Sequence, residues 1–177
     1  MNNQISTGRR LVIPGIIAAV VLIADQLTKA WVLRTWSQPG TGDIPIIDRW
    51  LELTYVQNTG VAFGLFSGVP QLFTVTSLLI VTLAIRYYLK HVPPEQTGLA
   101  ICLGLIVGGA LGNVIDRIRF GYVVDFIKTF DGRFAVFNVA DSCIVVGVCL
   151  MALLLMYSDD LRQPTPSLTT VEGEDAG

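Results

Sequence analysis

Long uncharged stretches alternate with short polar segments along most of the chain. Four of these stretches are candidates for helices that cross a bilayer: residues 11–32, 69–89, 97–115 and 138–158. A helix rises about 1.5 Å per residue, so about 20 apolar residues cross the hydrocarbon core of a membrane. We therefore predict a membrane all-α bundle of four transmembrane helices with both termini on the same side. A cleaved signal peptide is the alternative for the first stretch, but residues 25–29 (DQLTK) lack a small-residue cleavage site.

Two connections, residues 33–68 and 117–137, are too long to be simple turns. Leu and Tyr alternate with Glu and Thr between Trp50 and Val56, which is typical of a half-buried strand. A turn-forming Asp131-Gly132 pair lies between two β-forming runs and predicts a hairpin. We expect a small β-rich element on one face of the membrane.

Composition supports a membrane protein. Of the 177 residues, 52% are hydrophobic and only 15% are charged, whereas a soluble domain carries about 25% charged residues. A net charge of −2 and a pI of about 5.2 leave no basic surface for nucleic acid. Five of the 14 acids lie in residues 159–177, a Pro/Ser/Thr/Glu-rich tail that we predict to be disordered.

Cysteine and histidine offer no metal or disulfide framework. Cys102, Cys143 and Cys149 all lie in apolar runs without a CxxC pair, and His91 is the single histidine. We therefore expect no metal and no cofactor. Lysine and arginine do not decide the orientation, because five would lie on the presumed inside and seven on the presumed outside.

Acids at membrane depth are the candidate chemistry, because a charge there is expensive. Four of them gather at one end of the bundle if the helices alternate in direction: Asp25, Asp116, Asp125 and Asp141. Lys29 and Arg117 are the nearest bases. Helix capping and ion pairing are the structural alternative, and Asp141 or Asn138 is well placed to cap the fourth helix.

A pair of carboxyl groups is the catalyst that these acids favour. Asp125 lies between Val124 and Phe126, and an apolar setting raises the pKa of a carboxyl group. Two adjacent carboxyls share one proton, so the ionised one activates water while the neutral one polarises a carbonyl. The sequence contains no GxSxG, no HExxH and no Cys–His arrangement that favours another catalyst.

Three asparagines stand among apolar or small residues: Asn58, Asn113 and Asn138. Turns and caps explain the first and the last equally well. Asn113 lies inside the third predicted span, where its amide group is suited to holding a substrate backbone. A stripe of Gly104, Gly108 and Gly112 predicts close helix packing, with a smooth wall for a lipid chain or substrate helix as the alternative.

Five blocks, in this order and spacing, resemble the bacterial lipoprotein signal peptidases. The blocks are Asp25–Lys29 (DQLTK), Asn58–Phe63 (NTGVAF), Gly108–Asn113 (GGALGN) with Asp116-Arg117, Val123–Phe126 (VVDF) and Phe137–Asp141 (FNVAD). The resemblance covers residues 11–157 and lacks none of the blocks. It implies an aspartic endopeptidase of the bacterial cytoplasmic (inner) membrane that removes signal peptides from diacylglyceryl-modified prolipoproteins, on the N-terminal side of the lipidated cysteine.

The resemblance also implies roles for individual residues. The catalytic pair would be Asp125 and Asp141. Residues that match substrate-binding positions are Asn58, Gly60, Asn113, Arg117 and Asn138; those that match supporting positions are Asp25, Lys29, Gly108 and Asp116. The peptide antibiotic globomycin is the expected inhibitor.

The same resemblance implies an orientation and a division of the chain. Residues 1–158 would form the transmembrane protease domain and 159–177 a cytoplasmic tail, with both termini cytoplasmic and the site near the outer face. Membrane lipids would surround the β-rich segment, where Trp36 and Trp50 are suited to the headgroup region.

Two other classes of function fit a small membrane protein with acids. A proton-coupled transporter would place them near the midplane of several helices, and a non-catalytic assembly factor would use them only as caps. Asp125→Asn and Asp141→Asn distinguish the three classes. The variants would lose cleavage in a protease, proton flux in a transporter, and mainly stability in an assembly factor.

Overall fold

The computed structural model describes residues 7–48, 50–60 and 70–157. The predicted tail, residues 159–177, lies outside the described residues. So do the first residue of the second predicted span and residues 61–63 of the NTGVAF block.

Helices make up most of the described chain. They are α1 (Thr7–Arg10), α2 (Val12–Thr35), α3 (Pro70–His91), α4 (Thr97–Phe120) and α5 (Val139–Tyr157). Among the described residues, three helices are long and apolar enough to cross a membrane: α2, α4 and α5. The prediction of spans is thus confirmed for three helices. The fourth long helix, α3, has 22 residues, and its crossing of the membrane stays a prediction.

Glycines allow α4 to pack closely between its neighbours. A Cβ at Gly104 would lie 2.6 Å from the Ile17 side chain, and one at Gly108 would lie 2.7 Å from the Ala18 carbonyl oxygen on α2. On the other side, a Cβ at Gly109 would lie 2.4 Å from the Ala140 carbonyl oxygen at the start of α5. The stripe is therefore a packing surface, and the alternative of an open wall for a lipid or substrate is wrong at these positions.

A three-stranded antiparallel sheet covers one end of the bundle. Its strands, in spatial order, are β1 (Ile44–Ile47), β2 (Leu51–Asn58) and β3 (Val123–Thr129). β2 confirms the strand that the alternation around Trp50 to Val56 predicts. The register pairs Val56 with Asp125 and Asn58 with Val123, with an irregularity between Leu53 and Val56. The C-terminal end of β2 therefore lies beside the first residues of β3.

The hairpin predicted at Asp131-Gly132 forms only in part. Residues Phe130–Gly132 make a 3₁₀ turn, with φ of 52° at Phe130 and 56° at Asp131. The returning chain meets β3 at a single bridge, Ile127 to Phe137. The prediction of a regular hairpin is wrong because the returning chain bonds to the outer edge of β3 only around Phe137 and then enters α5 at Val139.

The sheet packs against the end of α2 through an apolar cluster. Its buried members are Val32, Trp36, Tyr55, Val124 and Phe126. Trp36 is only 6% exposed, and its Nε1 donates to the Gly42 carbonyl oxygen at 2.8 Å. Trp36 therefore packs inside the protein, whereas Trp50 is 62% exposed; the placement of this segment in the headgroup region stays a prediction. The sheet fixes Asp125 relative to the helices because its core packs on α2.

Candidate active site

Asp125 is a buried acid in the middle of β3. Its side chain is only 1% exposed, yet both carboxyl oxygens have a donor. Asn58 Nδ2 donates to Oδ2 at 2.8 Å, and Asn138 Nδ2 donates to Oδ1 at 2.7 Å. Burial, followed by the nearby charge of Asp141, raises the pKa of Asp125 to about 7. The setting predicted from Val124 and Phe126 is therefore buried, but it also supplies two amide donors to the carboxyl group.

Asn58 reaches Asp125 because the chain turns immediately after β2. The backbone N–H of Gly60 donates to Asn58 Oδ1 at 3.0 Å, which is the local bond expected of an Asn in a turn. This bond uses the amide oxygen, so the amide nitrogen is directed at the carboxyl group of Asp125. The Asn-Thr-Gly sequence thus has both the turn role and a site role.

Asn138 and Asp141 form a capping box at the start of α5. The Asp141 N–H donates to Asn138 Oδ1 at 2.9 Å, and the Asn138 N–H donates to Asp141 Oδ2 at 3.2 Å. This reciprocal pair satisfies two backbone donors at the beginning of a helix. The capping role that the sequence offered as an alternative is therefore confirmed, and it also holds the carboxyl group of Asp141 in place.

One residue connects the two acids. Asn138 donates through its side chain to Asp125 and through its main chain to Asp141. The side chain is 0% exposed and also donates to Asn113 Oδ1 at 3.1 Å. Asn113 Nδ2 in turn donates to Asp141 Oδ1 at 2.7 Å. Both carboxyl groups are thus held by a network of buried amides.

A buried ionic group supports this network from α2 and α4. Lys29 Nζ lies 2.9 Å from Asp25 Oδ2 and 2.9 Å from Asp116 Oδ2. The side chains are 3% exposed for Lys29 and at most 1% for the two acids. The Val124 N–H donates to Asp116 Oδ2 at 3.1 Å. These bonds tie the residue next to Asp125 to α4.

Two contributors to this support were not assigned from the sequence. Gln26 Nε2 donates to Asp116 Oδ1 at 3.0 Å and to the Gly112 carbonyl oxygen at 3.3 Å. The Ala140 N–H donates to Asp25 Oδ1 at 3.1 Å, which ties α2 to the start of α5. Gln26 is an uncharged polar residue next to Asp25 in the DQLTK block, and this position was the sequence signal that could have identified it. A backbone donor leaves no such clue.

An apolar groove opens beside the acids. Its volume is about 520 Å³. The lining residues are Asn58, Gly60, Arg117, Phe134, Ala135, Val136, Phe137, Asp141, Ser142, Val145 and Val146. Arg117 interacts electrostatically with both Asp125 and Asp141, so a cation stands at the wall next to the acids. The groove residues of α5 follow Asp141 along the helix, which places an apolar surface next to a carboxyl group.

The predicted site residues thus fall into two sets. Asn58, Gly60, Arg117 and Asp141 line the groove. The others do not line the groove and are buried behind it, in the hydrogen-bond network or between helices: Asp25, Lys29, Gly108, Asn113, Asp116, Asp125 and Asn138. Within the described residues, no group of three or more His, Cys, Asp and Glu side chains is placed to hold a metal ion.

The apolar helices and the cluster of acids at one end of them define a multi-pass membrane protein with an internal polar site. A family model described as Signal peptidase (SPase) II matches residues 17–157. A lipoprotein signal peptidase of Moorella thermoacetica is 43% identical over 152 residues, covering 84% of this chain and 97% of the relative. That of Clostridium acetobutylicum is 38% identical over 150 residues, covering 83% and 96%. The chain belongs to the signal peptidase II family, which makes it a peptidase.

Solved structures share this fold. One, described as a bacterial membrane enzyme structure obtained by the in meso method at 2.3 Å, has a TM-score of 0.76 and 32% identity, covering 86% of this chain and 92% of its own. A second, at 1.9 Å, has a TM-score of 0.73 and 33% identity, covering 82% and 93%.

Proposed function

We propose that this chain is an aspartic endopeptidase that removes signal peptides from diacylglyceryl-modified prolipoproteins, with Asp125 and Asp141 as the catalytic pair. The observation that carries the proposal is that Asn138 donates to both carboxyl groups. Its side chain donates to Asp125 and its main-chain N–H donates to Asp141, so a single residue bonds to both carboxyl groups and the two acids lie near each other. The names of the relatives, all lipoprotein signal peptidases, support the substrate class.

Protonation of the two acids favours a division of roles. The pKa of Asp125, raised to about 7, supports a protonated acid at this position. Asp141 is partly exposed to the groove and accepts bonds from Asn113 and from the Asn138 N–H. Because Asp141 lines the groove, it is the acid that can reach a water molecule beside a substrate held there. We assign Asp141 as the general base and Asp125 as the general acid.

Hydrolysis then follows in two steps. Asp141 takes a proton from water as the water oxygen attacks the carbonyl carbon, while Asp125 donates its proton to the carbonyl oxygen. As the carbon–nitrogen bond of the tetrahedral intermediate breaks, the leaving nitrogen takes the proton held by Asp141, and the carbonyl oxygen returns its proton to Asp125. The products are a signal peptide with a new carboxyl terminus and a cysteine with a free amino group.

The groove supports an apolar substrate. Phe137, Val145 and Val146 line it on the side of α5, which suits the apolar residues that precede a cleavage site. We assign substrate binding to three polar or small residues of the groove wall, which would contact the substrate backbone: Asn58, Gly60 and Arg117. Asn113 and Asn138 act on the substrate through the acids that they hold. A peptide antibiotic such as globomycin would inhibit by filling the same groove.

We further propose that α3 is the fourth span and that both termini are cytoplasmic. Its 22 residues correspond to about 33 Å at 1.5 Å per residue. Arg10, before α2, bonds to the carbonyl oxygens of Leu89 and Tyr88 at the end of α3, so the end of α3 lies opposite the site. Asp125 and Asp141 would then face the outer leaflet, where a lipidated cysteine resides.

Incubation of the purified protein with a diacylglyceryl-modified precursor tests the proposal. We expect cleavage at the bond before the lipidated cysteine, detected by mass spectrometry, and loss of at least about 1,000-fold in rate for Asp125→Asn and Asp141→Asn. Asp43→Asn is the matched control, because this acid lies at the edge of the sheet in an ion pair with Lys128. Normal cleavage by both site variants would refute the catalytic pair.

A further inference from the structure

All three hydrogen-bond donors of the Lys29 ammonium group have partners inside the protein. It is 2% exposed, and its Nζ lies 2.9 Å from Asp25 Oδ2, 2.9 Å from Asp116 Oδ2 and 2.9 Å from Asn113 Oδ1. An ammonium group carries three donors and no acceptor, so each of its protons has one partner. Two partners are acids, and the third is an amide that leads to the active site.

The bond from Lys29 selects one orientation of the Asn113 amide. The two ends of an amide differ in chemistry, since the oxygen accepts and the nitrogen donates, but hardly in shape. A lysine can only donate, so it requires the oxygen of Asn113 on its side. Asn138 Nδ2 donates to the same oxygen at 3.1 Å. The nitrogen of Asn113 is therefore turned to Asp141 Oδ1, 2.7 Å away.

We infer that Lys29 is a positioning residue for the reaction: it fixes the Asn113 amide so that the amide nitrogen donates to Asp141 and holds this carboxyl group in position for water. This inference rests on the proposed function. Lys29 does not line the groove, so it acts on the reaction through Asn113 and not through substrate. A lysine that only neutralised Asp25 and Asp116 would have no such effect on the reaction.

A positioning role and a purely charge-neutralising role of Lys29 predict different values of kcat for its variants. For Lys29→Met we expect kcat to fall about 10- to 100-fold, the loss for one hydrogen bond to a charged group, with KM within about twofold. Because this variant leaves two buried acids without their cation, a neutral triple variant (Lys29→Met with Asp25→Asn and Asp116→Asn) is measured beside it. The triple variant removes the charge imbalance and still lacks the donor to Asn113, so we expect the same fall in kcat.

A double-mutant cycle with Asn113→Ala identifies the route. If Lys29 acts through Asn113, adding Lys29→Met to Asn113→Ala changes kcat by less than about twofold. An independent role would give the full loss again in that background. Thermal unfolding is recorded for each variant, because a purely structural role would lower the unfolding temperature in both backgrounds and leave kcat of the folded protein unchanged.

The chain offers a matched control. Lys128 also lies between two acids, with Nζ 2.6 Å from Asp43 Oδ2 and 2.8 Å from Glu52 Oε2. It belongs to the sheet and contacts neither catalytic acid, so Lys128→Met should leave kcat within about twofold.

Two results would overturn the inference: an unchanged kcat in the folded neutral triple variant, or a full further loss in the Asn113→Ala background. Failure of the proposed function is a separate result, since it would appear as normal cleavage by Asp125→Asn and Asp141→Asn in the same assay.

Discussion

Gly112 leaves room for the carboxyl group of Asp25. A Cβ at residue 112 would lie 2.4 Å from Asp25 Oδ2, the oxygen that also bonds to Lys29. We therefore expect Gly112→Ala to displace this carboxyl group, to destabilise the protein by about 1–3 kcal/mol and to lower the cleavage rate. Thermal unfolding and precursor cleavage measure both effects.

A second glycine is the control for this substitution. A Cβ at Gly15, in the first half of α2, would meet nothing within 4 Å. Gly15→Ala removes the same helix-disfavouring residue without a collision, so the unfolding temperature should stay the same or rise slightly. Equal unfolding temperatures and cleavage rates for Gly112→Ala and Gly15→Ala would show that Gly112 is not needed to make room for the Asp25 carboxyl group.

The pH dependence of stability should reveal the buried Asp125. Its folded-state pKa is raised to about 7, against about 3.9 in an unfolded chain. The folded protein therefore holds the proton more tightly, so this group's contribution is complete below about pH 4 and is lost as pH rises through about 7. Asp125→Asn cannot ionise, so its unfolding temperature relative to the native protein should increase between pH 4 and pH 8.

Asp125 should also determine how the rate of cleavage depends on pH. A general acid must be protonated, so cleavage by the native protein should fall as pH rises above about 7. Asp43→Asn, which alters an acid at the edge of the sheet, should keep both pH profiles. A relative stability of Asp125→Asn that does not change with pH would contradict the raised pKa.

How far the sequence leads can be judged from particular residues. The acids at membrane depth indicated one cluster, and the structure brings Asp25, Asp116, Asp125 and Asp141 into it because α2 and α4 run towards the same end at which α5 begins. The sequence also predicted β2, since strand alternation is a local property.

Other features depend on partners that are distant in the chain. Lys29 and Asn113 are separated by 84 residues, and the Ala140 N–H that bonds to Asp25 belongs to the backbone, so no local pattern predicts either contact. The Asp131-Gly132 pair indicated a turn correctly, but its second arm pairs at one residue only. A turn pattern does not reveal that the returning chain enters α5 at Val139, directly after it meets the outer edge of β3.

The two roles of Asn138 can be separated by substitution. Its side-chain oxygen caps α5, and its nitrogen bonds to Asp125. Ser retains a capping oxygen but cannot reach Asp125, whereas Ala retains neither. We expect both Asn138→Ser and Asn138→Ala to lose most cleavage activity, with Ala less stable than Ser by about 1 kcal/mol. High activity in the Ser variant would show that the cap alone is required.

Arg10 should stabilise the protein from the end of the bundle opposite the site. Its guanidinium donates to the carbonyl oxygen of Leu89 at 2.7 Å and to those of Tyr88 and Val92, which lie at the C-terminal end of α3, where the helix itself leaves carbonyl oxygens without a full set of partners. Arg10→Lys keeps the positive charge but loses the planar fork of donors. We expect it to lower the free energy of unfolding by about 1–2 kcal/mol with kcat unchanged.

The exposed Arg86, also near the end of α3, is the control, and Arg86→Lys should leave stability within about 0.5 kcal/mol. If Arg10 acts only as a charge that orients the chain in the membrane, Arg10→Lys will be as stable as the native protein. A loss in Arg10→Lys alone would instead show that the geometry of its hydrogen bonds holds α1, and the start of α2 that follows it, against α3, because the two variants carry the same net charge.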